Sequence, residues 1–168
     1  MTPAETIAAA IEKGADISDD GRYRYRLWRT WDRGTTPLTF IMLNPSTADA
    51  NVDDPTIRRC IGFARSGGFG GIRVLNLYAF RATDPRAMFR AIDPVGREND
   101  DHLRSLDPWA TIVAAWGGYA RPDRVRKVLD ILDGRRVFSL GITKHGAPRH
   151  PLYVRADQPL VPFPGGAS

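Results

Sequence analysis

The chain has 168 residues, 42% hydrophobic and 26% charged, enough to bury about two-thirds of the surface its unfolded form exposes, which excludes the disordered and fibrous classes. Its one cysteine, Cys60, excludes an internal disulfide, a thiolate-held iron–sulfur cluster and a multi-cysteine zinc site. The formal charge is +5 and all but three of the 24 basic residues are arginine, a balance compatible with nucleic acid or a nucleotide as partner because a planar guanidinium can give phosphate two hydrogen bonds at once.

Thr2, Pro3 and Glu5 have the pattern of an N-cap, first-turn proline and N3 acid, and Gly14 that of a C-cap, so a short peripheral helix is expected within residues 1–21. This N-terminus lacks the basic start and apolar core of a signal peptide, and no apolar run approaches the roughly 20 residues of a membrane span. A cytoplasmic protein with no membrane partner is expected. "RYRYRLWRTWD" alternates basic and bulky residues at period two and predicts an exposed edge strand, returned by a hairpin through "DRGTTP" into the buried strand "LTFIMLN". Asp54, Pro55 and Thr56 open a helix that "GGFGG" stops near Ser66.

"IRVLNLYAF" reads as a second buried strand, "DPVGRENDDHLRSL" as a loop entering a polar helix, and "WATIVAAWGG" as a third strand. "PDRVRKVLDIL" is an amphipathic helix and "RRVFSLGI" a fourth strand. The whole is expected to be a single α/β domain over residues 1–168. It would be a three-layer sandwich with a mainly parallel four-stranded central sheet, an N-terminal antiparallel hairpin or edge strand, and an irregular tail at 154–168.

The polar residues fall at or beyond the C-terminal ends of the predicted parallel strands, where open α/β sheets bind ligands. Asn44-Pro45 closes the first strand; proline fixes φ and holds the preceding amide in an extended conformation, free to position a water or read a carbonyl. Ser46, Thr47 and Asp49 follow it, then Asp54, Thr56 and Arg58, the last a phosphate candidate. Asn76 and Tyr78 end the second strand and Trp116-Gly117 the third. "LGITKHGAPRHPLY" adds Thr143, Lys144, Arg149, His150 and Tyr153. The imidazole of His150 can donate to a leaving group that gains negative charge. "GGFGG" precedes a strand, so it is no phosphate-loop fingerprint, there is no G-x-S-x-G elbow, and the three histidines lack metalloprotease spacing.

"LNPSTADANVDDPTIRR", "NLYAFRATDP", "DPVGREND" and "GITKHGAPRHPLY", in that order, resemble the bacterial domain-of-unknown-function family 1643 from about Tyr23 to Tyr153. More distantly, a first strand ending in Asn-Pro and a late His-Pro loop are similar to the uracil-DNA glycosylase superfamily. Asn44 would match the amide of its strand-end motif and His150 the imidazole of its late loop. "LNPST" stands where that superfamily has a glycine-flanked motif, and "HPLY" where it has a serine-containing loop that grips DNA.

The resemblance implies hydrolysis of an N-glycosidic bond in nucleic acid or a nucleotide, a role in DNA repair, and no cofactor or metal. Asn44 or Asp49 would orient the water, and His150 would steady the departing base. Two other readings of the residues stay open. One is a non-catalytic nucleic-acid or nucleotide binding module. The other is a nucleotide hydrolase or transferase in which Asp49, Asp53 and Asp54 recruit Mg²⁺.

Overall fold

The computed structural model describes residues 12–164. Seven strands form one mixed sheet: β1 (Glu12–Ile17), β2 (Arg24–Thr30), β3 (Leu38–Met42), β4 (Gly71–Asn76), β5 (Thr111–Ala114), β6 (Arg136–Ser139) and β7 (Val161–Pro162). Their order across the sheet is β1-β2-β4-β3-β5-β6-β7. This corrects the expected mainly parallel four-stranded sheet. β4, β3, β5 and β6 run parallel, but β2 is antiparallel to β4, β1 to β2 and β7 to β6.

The N-terminal half departs most from expectation. The proposed leading helix lies mainly outside the described residues, and its last part, Glu12 and Lys13 with Gly14, belongs to β1. Gly14 serves as a contact point instead of a helix cap: a Cβ there would come within 2.1 Å of the Trp28 ring that lies across it. β2 is not the expected edge strand: it pairs with β1 on one edge and β4 on the other, and Arg24 and Arg29 are buried in it. Nor do β2 and β3 form a hairpin pair. Gly70, just before β4, accepts from the amides of Trp31 and Asp32 and donates to Thr36, so the "DRGTTP" loop passes over the start of β4 and sets β3 on its far side. The tail is likewise not wholly irregular, because β7 pairs with β6.

Helix α1 (Pro55–Ser66) covers one face of the sheet; α2 (Pro85–Arg90), α3 (Asn99–Arg104) and α4 (Pro122–Ile131) cover the other. β3 shows why both faces need cover. All five of its residues are buried, with Phe40 and Met42 packed toward Ile57, Cys60 and Phe63 of α1 and Ile41 toward Met88, Leu103 and Val128, as the two-residue period of a strand requires. Fully burying each such large apolar side chain contributes about 1.5–3 kcal/mol. α1 begins where the sequence signals it: Asp54 accepts from the Ile57 amide at 2.9 Å and Pro55 fills the first turn. No helix among the described residues is long and apolar enough to cross a membrane.

Candidate functional site

The C-terminal ends of β3 and β5 and the loop after β6 surround a cleft of about 1000 Å³. It straddles the tip of β3. Met42, Ile57 and Arg24 line it on the α1 side, and Leu43, Phe89 and Trp116 on the other. Trp116 is itself buried, its ring set edge-on against Phe163 with centroids 5.6 Å apart. Tyr119 and Tyr153 line the cleft and remain 75% and 79% exposed as residues, so a flat ligand would find aromatic residues at its rim as well as inside.

Asn44 lines this cleft where β3 ends. Its Nδ2 donates to the Ala82 carbonyl at 2.8 Å and the Pro45 carbonyl at 3.1 Å. The amide thus ties the loop after β3 to the segment after β4, and among the described residues nothing donates to its Oδ1. Ser46 and Thr83 hydroxyls approach to 3.4 Å across the same seam.

Two buried arginines of β2 hold the loop that follows. Arg29 pairs with Asp53 at 2.8 Å and donates to the carbonyls of Asp49 and Val52, while Arg24 Nη1 donates to the Ala48 carbonyl at 3.1 Å. Arg24 also lines the cleft. Burial outweighs the nearby Asp54 carboxylate and pulls its pKa down to about 10, which leaves it charged at neutral pH. Both Asp54 oxygens are engaged, one by the Ile57 amide and one by the Ala48 amide at 3.3 Å.

His150 enters from the loop after β6. That loop is pinned to the neighbouring strand end: the Gly117 amide donates to the Pro148 carbonyl at 2.8 Å, and Arg149 donates through its amide to Gly141. Gly117 has φ +72, a left-handed conformation that favours glycine at this turn. Within the loop, Thr143 Oγ1 accepts from the Ala147 amide. His150 then caps the 3₁₀ turn Pro151–Tyr153, its Nδ1 accepting from the Leu152 amide at 3.2 Å. A ring nitrogen that accepts carries no proton, so neutral His150 bears its hydrogen on Nε2. Burial lowers its pKa, partly offset by Asp54, and favours that neutral form.

Of the residues singled out from the sequence, Asn44, Ser46, Asp54, Thr56, Trp116, Gly117, Thr143, Arg149, His150 and Tyr153 line the cleft. Pro45, Thr47, Asp49, Arg58, Asn76, Tyr78 and Lys144 are not among its lining residues. Asp49 accepts from the Asn51 and Val52 amides, which lower its pKa and commit it to the turn. Arg58 is exposed and donates to its own segment at Asp53. Lys144 is exposed in the turn closed by Gly146. Asn76 is buried, and its side-chain amide finds no partner among the described residues. Tyr78 stands behind Phe89, ring edge to face at 5.1 Å. Among the described residues no group of three or more His, Cys, Asp or Glu side chains gathers to hold a metal ion.

Sequence reasoning missed Arg24, Phe89 and Tyr119; Arg59, which with Arg58 has the sequence signature of a phosphate candidate, is not among the cleft-lining residues and has a different role. Arg24 belongs to the period-two alternation that predicts an exposed edge strand, yet it is buried. Arg59 lies outside the cleft but holds it together: from α1 it donates through Nε to the Pro151 carbonyl at 3.1 Å and through Nη2 to the Val154 carbonyl. It thereby clamps the turn that carries His150. No local pattern marks such a residue, because its partners lie more than ninety positions away.

The fold and site define an α/β protein with a mixed sheet, in which the ends of parallel strands β3 and β5 and the loop after β6 meet at one cleft lined by the Asn44 amide and the His150 imidazole. Residues 24–152 match the family described as "Protein of unknown function (DUF1643)", and the chain belongs to that family. No curated protein matches the chain.

Proposed function

We propose that the cleft binds a nucleobase attached to its sugar and hydrolyses the N-glycosidic bond between them. The observation that carries this reading is the pairing of Asn44 and His150 in one cleft, one with an unused acceptor and the other with its proton on Nε2. The base lies against Trp116 and Phe89, with Tyr119 and Tyr153 at the rim. Nε2–H of His150 donates to the base as the C–N bond breaks and its electron pair leaves with the base. Asn44 Oδ1 accepts from a water whose oxygen adds to the sugar carbon; the surplus proton passes to solvent or to the released base. A neutral donor set in advance suits this task, since it stabilises developing negative charge without reorganising. Asp49, committed to its turn, has no part in the step.

The test is incubation of the purified protein with single- and double-stranded oligonucleotides carrying uracil or hypoxanthine, and with the matching mononucleotides, followed by detection of abasic sites and free base. Product from wild type and not from His150→Ala supports the reading. Binding without product moves the protein to a binding module, a role in which the Asn44 amide acts only as the tie between two loops.

A further inference from the structure

The α1 side of the cleft contains donors for which the hydrolytic step has no use. Arg24 is only 2% exposed, yet its bonding is incomplete: Nη1 donates to Ala48, Nε is buried without an acceptor, and Nη2 donates to no described residue. Thr56 lines the same cleft from the first turn of α1, a helix of twelve residues, two positions after Asp54, whose carboxylate lies near enough to Arg24 to act on its charge. The Thr56 amide has no partner within the helix, because no helical residue precedes it by four, and neither that amide nor the hydroxyl bonds to a described residue. A guanidinium with spare N–H groups beside a helix N-terminus is anion-receptor chemistry. Asp54 does not close the site to anions. Each of its oxygens accepts from a backbone amide, of Ala48 and of Ile57, which offsets its negative charge at this corner.

The cleft thus has two unlike halves: aromatic around Trp116 and Phe89, and anion-receptive around Arg24 and Thr56. We infer that the Arg24–Thr56 corner receives the phosphate of a nucleotide, and that the phosphate is a terminal monoester. Arg24 is almost wholly buried, and a phosphodiester inside a continuous strand is flanked by chain on both sides, whereas a terminal phosphate can enter end-on. The inference builds on the base-binding reading above and narrows its substrate to a free mononucleotide or the phosphorylated end of an oligonucleotide.

The experiment measures, by titration calorimetry on the full chain, binding of deoxyuridine and deoxyinosine beside their 5′-monophosphates. A short single-stranded oligonucleotide with and without a 5′-phosphate forms a second arm. A gap of about 10–100-fold favouring each phosphorylated monomer is expected from charge-assisted hydrogen bonds. Retention of that gap in the oligonucleotide arm assigns the strand end as a ligand; its restriction to monomers assigns the free nucleotide.

The gap should vanish in Arg24→Gln and in Thr56→Glu. The second variant covers the case in which the first unfolds: glutamate suits the first turn of a helix, so the fold and Tm are kept, while its carboxylate takes the place of the phosphate. Equal binding of nucleoside and monophosphate by wild type, or a gap that survives Thr56→Glu, overturns the inference, as does absence of binding by all of them. Base release assayed in the same samples separates the two ideas. A phosphate gap without release keeps the subsite and removes the hydrolytic step, and release without a gap does the reverse.

Discussion

The Leu152 amide donates to Nδ1 of His150 across 3.2 Å, two residues along the chain. This bond fixes the tautomer, and burial holds the pKa below its ordinary value near 6.5. Nitrogen-15 NMR should therefore show His150 protonated on Nε2 alone at neutral pH, titrating below 6.5. Because the folded state takes up its proton at lower pH than the unfolded chain does, the His150 contribution is fully present above 6.5. It is lost as pH falls through the depressed folded value, and then levels off. His150→Gln should remove that pH-dependent increment from a denaturation series.

Arg59 holds the same turn from α1. Arg59→Ala deletes its donors to the carbonyls of Pro151 and Val154 and should lower stability by about 1–3 kcal/mol in denaturant unfolding. Its second signature is a shift of the His150 pKa toward the ordinary value as the turn loosens, which loss of helix packing alone would not produce. Arg59→Lys should restore part of the stability and little of the pKa shift, since an ammonium cannot span two carbonyls with the same fork.

The pair of Arg29 with Asp53 is the buried latch of the loop from Asp49 to Asp53, with no exposure of the arginine side chain. Arg29→Ala strands a half-buried carboxylate and the carbonyls of Gly14, Trp28, Asp49 and Val52, and should cost about 3–5 kcal/mol in equilibrium unfolding. Arg29→Met, which keeps the volume, should cost less.

At Asn44 the structural and chemical roles separate by substitution. Asn44→Ala loses the bonds to Ala82 and Pro45 and should cost about 1 kcal/mol. Asn44→Asp should be the less stable of the two at neutral pH, because a carboxylate then faces two carbonyl oxygens. Comparative thermal melts at neutral and mildly acidic pH check this: the difference should shrink as the carboxyl gains its proton.

The strands that lead to Asn44 and Trp116 were legible in the sequence because β3 and β5 are buried on both faces and read as largely apolar runs. α1 was legible because Asp54 and Pro55 announce it. The neighbours of those strands were not. The alternation in β2 reported its period correctly but not its environment: arginines that look solvent-facing are buried and donate to carbonyls of a loop some twenty residues on. Strand pairing across the "DRGTTP" loop depended on Gly70, whose backbone role no side-chain pattern encodes. Arg24, Phe89 and Tyr119 reach the cleft from three different segments, and only the assembled sheet brings them together.

The central claim is that Asn44 and His150 together release a base. The most direct measurement is mass-spectrometric quantification of free base from uracil- and hypoxanthine-bearing substrates, with wild type, His150→Ala, Asn44→Ala and the double variant at equal concentration. The account predicts release by wild type, a loss of about 10²–10³-fold in His150→Ala, and a double variant little worse than the poorer single one, as for groups that act as a unit. Release that is undiminished in His150→Ala would contradict it, as would no release from any substrate by folded wild-type protein.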